Sequence, residues 1–168
     1  TRGGMTVLSK SRADKVERIG DAVLVTLSDG RTVEGSHCLM AVGSVPNTEA
    51  LGLADAGVRT TSNGSIEVDR VSRTSAPGVY AAGDCTGVLL LASVAAMQGR
   101  IAMWHALGAA VAPLNLRTVS SNVFTDPEIA TVGYTQADLD SGRIDADVVT
   151  LPLSTNARAK MQGMTDGF

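Results

Sequence analysis

Residues 74–87, TSAPGVYAAGDCTG, decide how this sequence of 168 residues is interpreted. A turn at 76–78 leads into a short apolar run at 79–82, and Gly83 and Asp84 stand where that run ends. The pattern predicts a buried strand that delivers a carboxylate to the end of a sheet, beside a glycine that allows another molecule to come close. In open α/β sheets, ligands bind beyond the carboxyl ends of the strands. A second role for Asp84, as a helix cap or turn residue, is equally compatible with the spacing.

Composition and charge restrict the class of protein. The hydrophobic fraction of 44% and the charged fraction of 18% are typical of a globular protein. A net charge of −3, an aromatic fraction of 3% and the lack of a basic run argue against nucleic-acid binding. The longest apolar run, 87–97, is interrupted by Ser93 and is too short to span a bilayer. Cys38 and Cys85 form no zinc pattern, so we expect buried, inert thiols in a cytoplasmic protein, and no metal site.

The first part of the chain is strand-like. Residues 16–34 contain three short apolar segments separated by Gly-Asp and Asp-Gly turns, which predicts an antiparallel meander. A further strand is predicted at 5–9. The continuous apolar run CLMAV at 38–42 is typical of a strand buried on both faces. It ends at Gly43, and a turn containing Pro46 follows, an arrangement that suits a crossing between two domains.

One convincing helix, at 93–107, follows the opening stretch. Ser93 is its predicted N-cap and Gly108 its predicted C′ residue. Its apolar positions recur at helical spacing, namely at Val94, Met97, Ile101 and Trp104. Because the helix begins a few residues after Asp84, we expect its positive end to face the same ligand, although plain core packing remains an alternative.

The sequence changes character near Arg117, where we place a domain boundary. Short strands are predicted at 123–124, 129–132 and 148–153. A capping box at 135–138 predicts a short helix that Gly142 ends. Both ends of the chain look cut, so we expect a fragment of a longer protein.

Several motifs together resemble one family. TSAPGVYAAGD resembles the second FAD-binding motif of the two-dinucleotide-binding-domain flavoproteins, and LMAVGSVPNTEALGL resembles the segment by which such chains leave the NAD(P)H domain and re-enter the FAD domain. FTDPEIATVGYT, followed by LPLSTNARAK and TDGF, is similar to the opening of a dimerisation domain. That domain indicates the flavoprotein disulfide reductases, which include lipoamide dehydrogenase and glutathione and mercuric reductases. The stretch LLASVAAMQGRIAMWHALG is most similar to the NAD(P)H:quinone reductase branch.

The resemblance implies an α/β fold class, as a fragment of a two-dinucleotide-binding-domain (FAD/NAD(P)) flavoprotein plus the start of an α+β dimerisation domain. Residues 1–42 would be the C-terminal end of the NAD(P)H-binding domain. Residues 43–117 would be the second segment of the FAD-binding domain, with Gly43 letting the backbone pass close to both nucleotides. Residues 118–168 would be the truncated N-terminal part of the dimerisation domain.

The resemblance also implies which residues contact the cofactor. Gly83 and Asp84 would hold the ribityl and pyrophosphate region of FAD. Leu91, Ala92 and Ser93 would bring backbone groups and the helix start to the pyrimidine edge of the isoalloxazine, where reduced flavin carries negative charge. The chain contains no GxGxxG and no CxxxxC pair, so no catalytic residue is expected within it.

Other side chains that could take part in catalysis or binding are predicted to have structural roles. His37 and His105 do not match the family's His-Glu pair, and a lone histidine is usually structural. Arg158 and Lys160 form a solvated or interfacial basic pair, and the carboxylates at 126–128 belong to a turn that connects two strands.

The implied function is that of an FAD-dependent NAD(P)H oxidoreductase. Hydride would pass from the nicotinamide of the co-substrate NAD(P)H to FAD, and electrons would pass on to a disulfide or quinone acceptor in a homodimer. Two alternatives are a catalytically inactive FAD-half-site and dimerisation fragment, and a monomeric flavoprotein similar to ferredoxin reductase.

Overall fold

The computed structural model describes residues 4–168. These residues divide into two compact units, the first ending at Ser44 and the second spanning Val45–Phe168. The strands are β1 (Ala13–Ile19), β2 (Ala22–Leu27), β3 (Thr32–Gly35), β4 (Ser120–Val123) and β5 (Ile129–Val132). The helices are α1 (Ala92–Ala106), α2 (Gln136–Asp140) and α3 (Ala157–Gln162). None of these helices has the length and apolar character needed to cross a membrane.

The first unit contains the predicted meander. Strands β1, β2 and β3 pair antiparallel in that order, with Val25 of β2 opposite Val16 on one side and Val33 on the other. In the turn between β2 and β3, the Arg31 guanidinium lies 2.6 Å from the Asp29 carboxylate. Hydrogen bonds from the side chain and backbone of Arg31 lower the pKa of Asp29 from 3.8 to about 2. The Asp-Gly turn therefore forms as the sequence predicted.

Two strand predictions in the first unit are wrong. Residues 5–9 and 38–42 form no strand, and within the apolar run Leu39 is 89% exposed and Val42 is 85% exposed. An apolar run becomes a buried strand only when neighbouring strands pair with it and other layers cover it. No other segment of residues 4–168 pairs with this run. Cys38 is consequently exposed, which corrects the expectation of a buried thiol.

The second unit begins with a loop-rich region around a small core. Val58, Ile66 and Ala76 are buried in contact with one another, and the half-buried Cys85 packs against them. Strand-like pairing here is limited to two single antiparallel bridges, Thr60 to Ile66 and Arg73 to Tyr80, the second of which lies in the strand predicted at 79–82. Each segment meets a partner at one position only, so no ladder forms, and the expectation of a buried strand at 79–82 is wrong.

Helix α1 is the longest regular element of the second unit. It starts at Ala92, and its N-cap is Leu91 rather than the predicted Ser93. Gly108 follows its C-terminus with φ +75°, as expected of a C′ glycine. Its buried face comprises Val94, Gln98, Ile101 and Ala102. The predicted stripe was therefore half right, because Met97 and Trp104 are 39% and 51% exposed.

The last part of the second unit holds a two-stranded sheet and two short helices. Strands β4 and β5 pair antiparallel, and residues 124–128 connect them, which confirms the turn predicted there. The capping box at the start of α2 is confirmed, since the Thr135 hydroxyl accepts from the Asp138 N–H and the Asp138 carboxylate accepts from the Thr135 N–H. Hydrogen bonds that the Thr135 N–H and hydroxyl donate to the Asp138 carboxylate lower the pKa of Asp138.

The strand predicted at 148–153 is wrong. The segment has no strand partner among the described residues, and Val149 is 81% exposed. Leu153 instead opens a 3₁₀ turn, Leu153–Thr155, directly after Pro152. Proline has no N–H to donate to a ladder, which favours this outcome.

Candidate functional site

The candidate site is built around a turn that starts at Gly83. Gly83 is buried and has φ +91°, a conformation that favours glycine. Asp84 follows as the first residue of a 3₁₀ turn, Asp84–Thr86. A Cβ added at Gly83 would lie 3.4 Å from the Ala95 Cβ on helix α1. The missing side chain therefore lets the turn lie directly against the helix.

A ring of hydrogen bonds joins this turn to helix α1, and we call it the Gln98 network. The Gly83 N–H donates to Gln98 Oε1 at 2.8 Å. Gln98 Nε2 donates to Thr86 Oγ1 at 3.2 Å, and Thr86 Oγ1 donates to the Gly83 carbonyl oxygen at 2.8 Å. All three residues are buried, and Gln98 is only 1% exposed. Every polar group in the ring is thus paired, as buried polar groups must be to avoid a desolvation cost.

Sequence reasoning missed Gln98. It lies four residues after Val94, at a position where the apolar stripe of the helix requires a buried residue. A polar side chain on the buried face of an amphipathic helix was the available signal. It points to a partner in the adjacent turn.

The Asp84 carboxylate is exposed and unused. The N-cap of its 3₁₀ turn is Gly83, and no side-chain capping hydrogen bond is present. Across residues 4–168, no group donates a hydrogen bond or forms an ion pair with this carboxylate. Of the two alternatives considered from the sequence, the structure contradicts the helix cap and shows Asp84 as a turn residue. The carboxylate is available as a hydrogen-bond acceptor.

The start of helix α1 offers unused donors. The N-cap Leu91 supplies no side-chain acceptor, and no acidic side chain lies in the first turn. No described group accepts from the backbone N–H of Ala92 or Ser93, and both residues are exposed. Ala95, which lies against Gly83, is about 4.5 Å along the axis from Ala92 at roughly 1.5 Å per residue. Two free N–H groups and the positive end of the helix therefore begin close to the turn.

The far end of the turn is fixed by Gly87. Its φ is +63°, and a Cβ added there would lie 2.7 Å from Ser65 Oγ and 3.1 Å from Ser65 Cβ. Beside it, the Ile66 N–H donates to the Cys85 carbonyl oxygen at 2.8 Å. The turn that carries Asp84 is thus held on one side by helix α1 and on the other by residues 65–66.

Gly43 belongs to the first unit, so it is described apart from the residues above. It is exposed and has φ +104°, a backbone conformation that residues other than glycine rarely adopt. Its part in nucleotide binding stays a prediction.

The histidines and the basic pair considered in the sequence analysis lie outside the Gly83–Asp84 turn and the start of α1. His105 Nδ1 lies 2.7 Å from the Tyr80 hydroxyl, in a cleft of about 690 Å³. His37 is exposed, with Nδ1 3.1 Å from Ser36 Oγ. Arg158 and Lys160 are both exposed. No three His, Cys, Asp or Glu side chains within the described part of the chain come together as a metal-binding group.

Charged side chains beside the cleft are already paired. Arg73 Nε lies 2.8 Å from the Asp69 carboxylate. Burial opposes ionisation of Asp69, but hydrogen bonds from Arg73 and from the Val71 N–H outweigh it and lower the pKa of this carboxyl. These contacts stabilise the loop at 69–73 and pair the charges of Asp69 and Arg73 with each other.

The chemistry of the Gly83–Asp84 turn and the start of α1 fits a flavin nucleotide. A free carboxylate accepts from hydroxyl groups such as those of a ribityl chain. A glycine without Cβ allows close approach, and free helix-start N–H groups favour an electron-rich edge. The resemblance assigned FAD contacts to the same residues, and those contacts stay a prediction.

Comparisons with known proteins agree with the resemblance. Residues 1–99 match the model of the pyridine nucleotide-disulphide oxidoreductases, and residues 119–168 match the dimerisation domain of the same family. The chain is 59% identical over 165 residues to an NAD(P)H dehydrogenase (quinone) of Mycobacterium tuberculosis, covering 98% of this chain and 34% of the relative. It is 34% identical to a dihydrolipoyl dehydrogenase of Bacillus subtilis, covering 99% of this chain and 36% of the relative.

Solved structures give the same result. The crystal structure of LpdA from Mycobacterium tuberculosis superposes with a TM-score of 0.90 at 58% identity, over 98% of this chain and 36% of that one. The flavoprotein disulfide reductase RclA of Escherichia coli gives a TM-score of 0.80 at 27% identity, over 94% and 36% of the two chains. The chain thus spans about a third of the length of the relatives it matches. Its sequence, its α/β architecture and the dimerisation segment place it in one group: the chain belongs to the pyridine nucleotide-disulphide oxidoreductase family.

Proposed function

We propose that the chain forms part of an FAD-dependent NAD(P)H oxidoreductase. The observation that carries the proposal is the free Asp84 carboxylate, on a turn that the Gln98 network joins to α1, the helix whose first N–H groups, at Ala92 and Ser93, are also free. Family membership and the similarity to an NAD(P)H dehydrogenase support the same activity.

In the proposed site, each residue binds or orients the cofactor. Asp84 accepts a hydrogen bond from a ribityl hydroxyl, and Gly83 lets the backbone approach the ribityl and pyrophosphate region. The N–H groups at 92–93, together with Leu91, stabilise negative charge at the pyrimidine edge through hydrogen bonds and the helix dipole. For Gly43, which lies in the first unit, we propose separately, from the resemblance alone, that it lets the backbone pass close to both nucleotides. FAD, when bound, supplies the chemistry of accepting hydride from the nicotinamide and passing electrons on.

The acceptor that we propose first is a quinone. The relative that is 59% identical is named for quinone reduction, whereas the dihydrolipoyl dehydrogenase, whose name indicates a thiol–disulfide substrate, is 34% identical. A disulfide acceptor is the second candidate, and the similarity to a flavoprotein disulfide reductase favours it.

The domain assignment extends the proposal. Residues 1–42 would end an NAD(P)H-binding domain, 43–117 would form the second segment of the FAD-binding domain, and 118–168 would open the dimerisation domain of a homodimer. The family match at 119–168 supports dimerisation and argues against the monomeric alternative similar to ferredoxin reductase. The free thiols of Cys38 and Cys85 support a reducing compartment such as the cytoplasm.

Purification of the full-length protein that contains this chain tests the proposal. We expect a yellow protein that carries FAD, oxidises NAD(P)H and reduces a soluble quinone faster than lipoamide. A colourless protein that neither binds added FAD nor oxidises NAD(P)H would contradict it. The 168-residue chain alone should bind FAD negligibly, since it contains no GxGxxG motif to bind the phosphates of a dinucleotide. Tight binding by the isolated chain would overturn the view that it contains half of the site.

A further inference from the structure

Gln98 occupies an unusual position for a polar side chain. It is 1% exposed on the packed face of α1, between Val94 and Ile101, which are 1% and 4% exposed. An apolar residue of the same length would fill this space without the cost of burying an amide. A buried amide is tolerated here because both of its ends are used, one by Gly83 and the other by Thr86.

The two hydrogen bonds act on the residues that flank Asp84. Gly83 precedes the carboxylate and donates its N–H to Gln98, and Thr86 follows it by two residues and accepts from Gln98. No other described group accepts from the Gly83 N–H. The direction in which the Asp84 side chain leaves the turn therefore depends on where Gln98 holds the turn against α1.

We propose that Gln98 is a positioning residue of the flavin site, which acts through the Gly83–Thr86 turn to set the Asp84 carboxylate against the start of helix α1. This inference rests on the proposed function. Because the amide must accept at one end and donate at the other, neither an apolar residue nor a shorter amide replaces it.

The test measures FAD binding to the apoprotein of the full-length enzyme, by titration with FAD and flavin fluorescence. Gln98→Met keeps the side-chain length and removes both hydrogen bonds. Gln98→Glu keeps an acceptor for the Gly83 N–H. The matched control is Gln136→Met, which changes an exposed glutamine on α2 that bonds Asp140 at 2.8 Å.

We expect Gln98→Met to raise the FAD dissociation constant roughly tenfold. The backbone N–H of Gly83 would lose its acceptor, at a cost to the observed conformation of the turn, and the turn would no longer be held in position against α1. Gln98→Glu should raise it less, by about threefold. Gln136→Met should leave it unchanged. Hydrogen exchange of the Gly83 amide in the apoprotein should accelerate in Gln98→Met only.

A double-mutant cycle separates positioning from a general loss of stability. In an Asp84→Ala background, Gln98→Met should change the FAD dissociation constant by less than about twofold, because the group that it positions is gone. An equal change in both backgrounds would overturn the proposal. If Gln98→Met does not fold, Thr86→Val removes the other end of the network, and tight FAD binding by that variant would likewise overturn it.

The same experiment gives different outcomes for failure of the proposed function and for failure of the role of Gln98. A wild-type apoprotein that does not bind FAD contradicts the flavin assignment itself. A wild-type apoprotein that binds FAD, together with a Gln98→Met variant that binds it equally well, contradicts only the role of Gln98.

Discussion

Gly87→Ala tests whether the end of the Asp84 turn is packed as tightly as the structure shows. Gly87 has φ +63°, and a Cβ at this position would lie 2.7 Å from Ser65 Oγ and 3.1 Å from Ser65 Cβ. Two costs therefore add: alanine in a left-handed conformation, and overlap with a buried serine that is 5% exposed.

The two costs can be separated with a second glycine. Gly78 has a similar φ of +75°, but a Cβ there would meet no atom of the described residues within 4 Å. Gly78→Ala should therefore show the backbone cost alone, about 1–2 kcal/mol. Gly87→Ala adds an overpacking cost of about 1–3 kcal/mol, which gives a total of about 2–5 kcal/mol. Ser65→Ala removes the hydroxyl but not the Cβ contact, so it should relieve only part of the added cost.

The assay is urea unfolding of both variants and of the Gly87→Ala, Ser65→Ala double variant, followed by circular dichroism. We expect Gly87→Ala to lower the free energy of unfolding more than Gly78→Ala, and Ser65→Ala to reduce that difference. Equal losses for the two glycine variants would refute the packing of the turn against Ser65.

Three further outcomes follow from the structure. Tyr80→Phe removes the 2.7 Å hydrogen bond to His105 and should cost about 0.5–1.5 kcal/mol in urea unfolding, with the cost absent in a His105→Ala background. The pKa of Asp29 is lowered from 3.8 to about 2, so its stabilising effect is present above the ordinary pKa and is lost as the pH falls from about 4 towards 2. The difference in unfolding midpoint between wild type and Asp29→Asn should accordingly shrink over that pH interval, and a constant difference would refute the Asp29–Arg31 contact. Thr135→Ala removes the N-cap of α2 and should cost about 1 kcal/mol, with Thr135→Ser nearly neutral in the same urea titration.

The features predicted correctly from the sequence are those with local causes. The Asp-Gly turn before Arg31 and the capping box at Thr135 depend on residues within four positions of each other, so the sequence alone determines them. Gly108 follows the C-terminus of α1 because glycine readily adopts the positive φ required there, which is also a local cause. Asp84 lies in a turn, which was the alternative role considered for it, whereas the strand expected before it does not form.

The failures depend on distant partners. The run at 38–42 has the composition of a buried strand, but a sheet needs neighbouring strands, and none of the described residues pairs with it. The segment at 148–153 likewise forms no strand, because none of the described residues pairs with it. Gln98 shows the converse case, because a polar residue in a helix is usually expected to face solvent, and only the packing of the turn against α1 reveals its partners.

In the candidate site, too, some features could be predicted from the sequence and others depend on tertiary packing. The resemblance predicts that Asp84 and the helix start contact the cofactor. It did not show that the turn is a 3₁₀ segment bonded to a helix side chain, nor that the carboxylate is free of any capping role. Those properties arise from tertiary packing, which motif spacing does not encode.

The role that we propose for the Asp84 carboxylate is to bind FAD. The most direct measurement is the FAD dissociation constant of the full-length protein and of its Asp84→Ala variant, with Asp140→Ala as a control for loss of an exposed carboxylate. We expect FAD binding to weaken roughly tenfold or more in Asp84→Ala, because a hydrogen bond to a charged group contributes about 1.5–3 kcal/mol, and to stay unchanged in the control. An unchanged dissociation constant in Asp84→Ala would contradict a role of Asp84 in binding FAD.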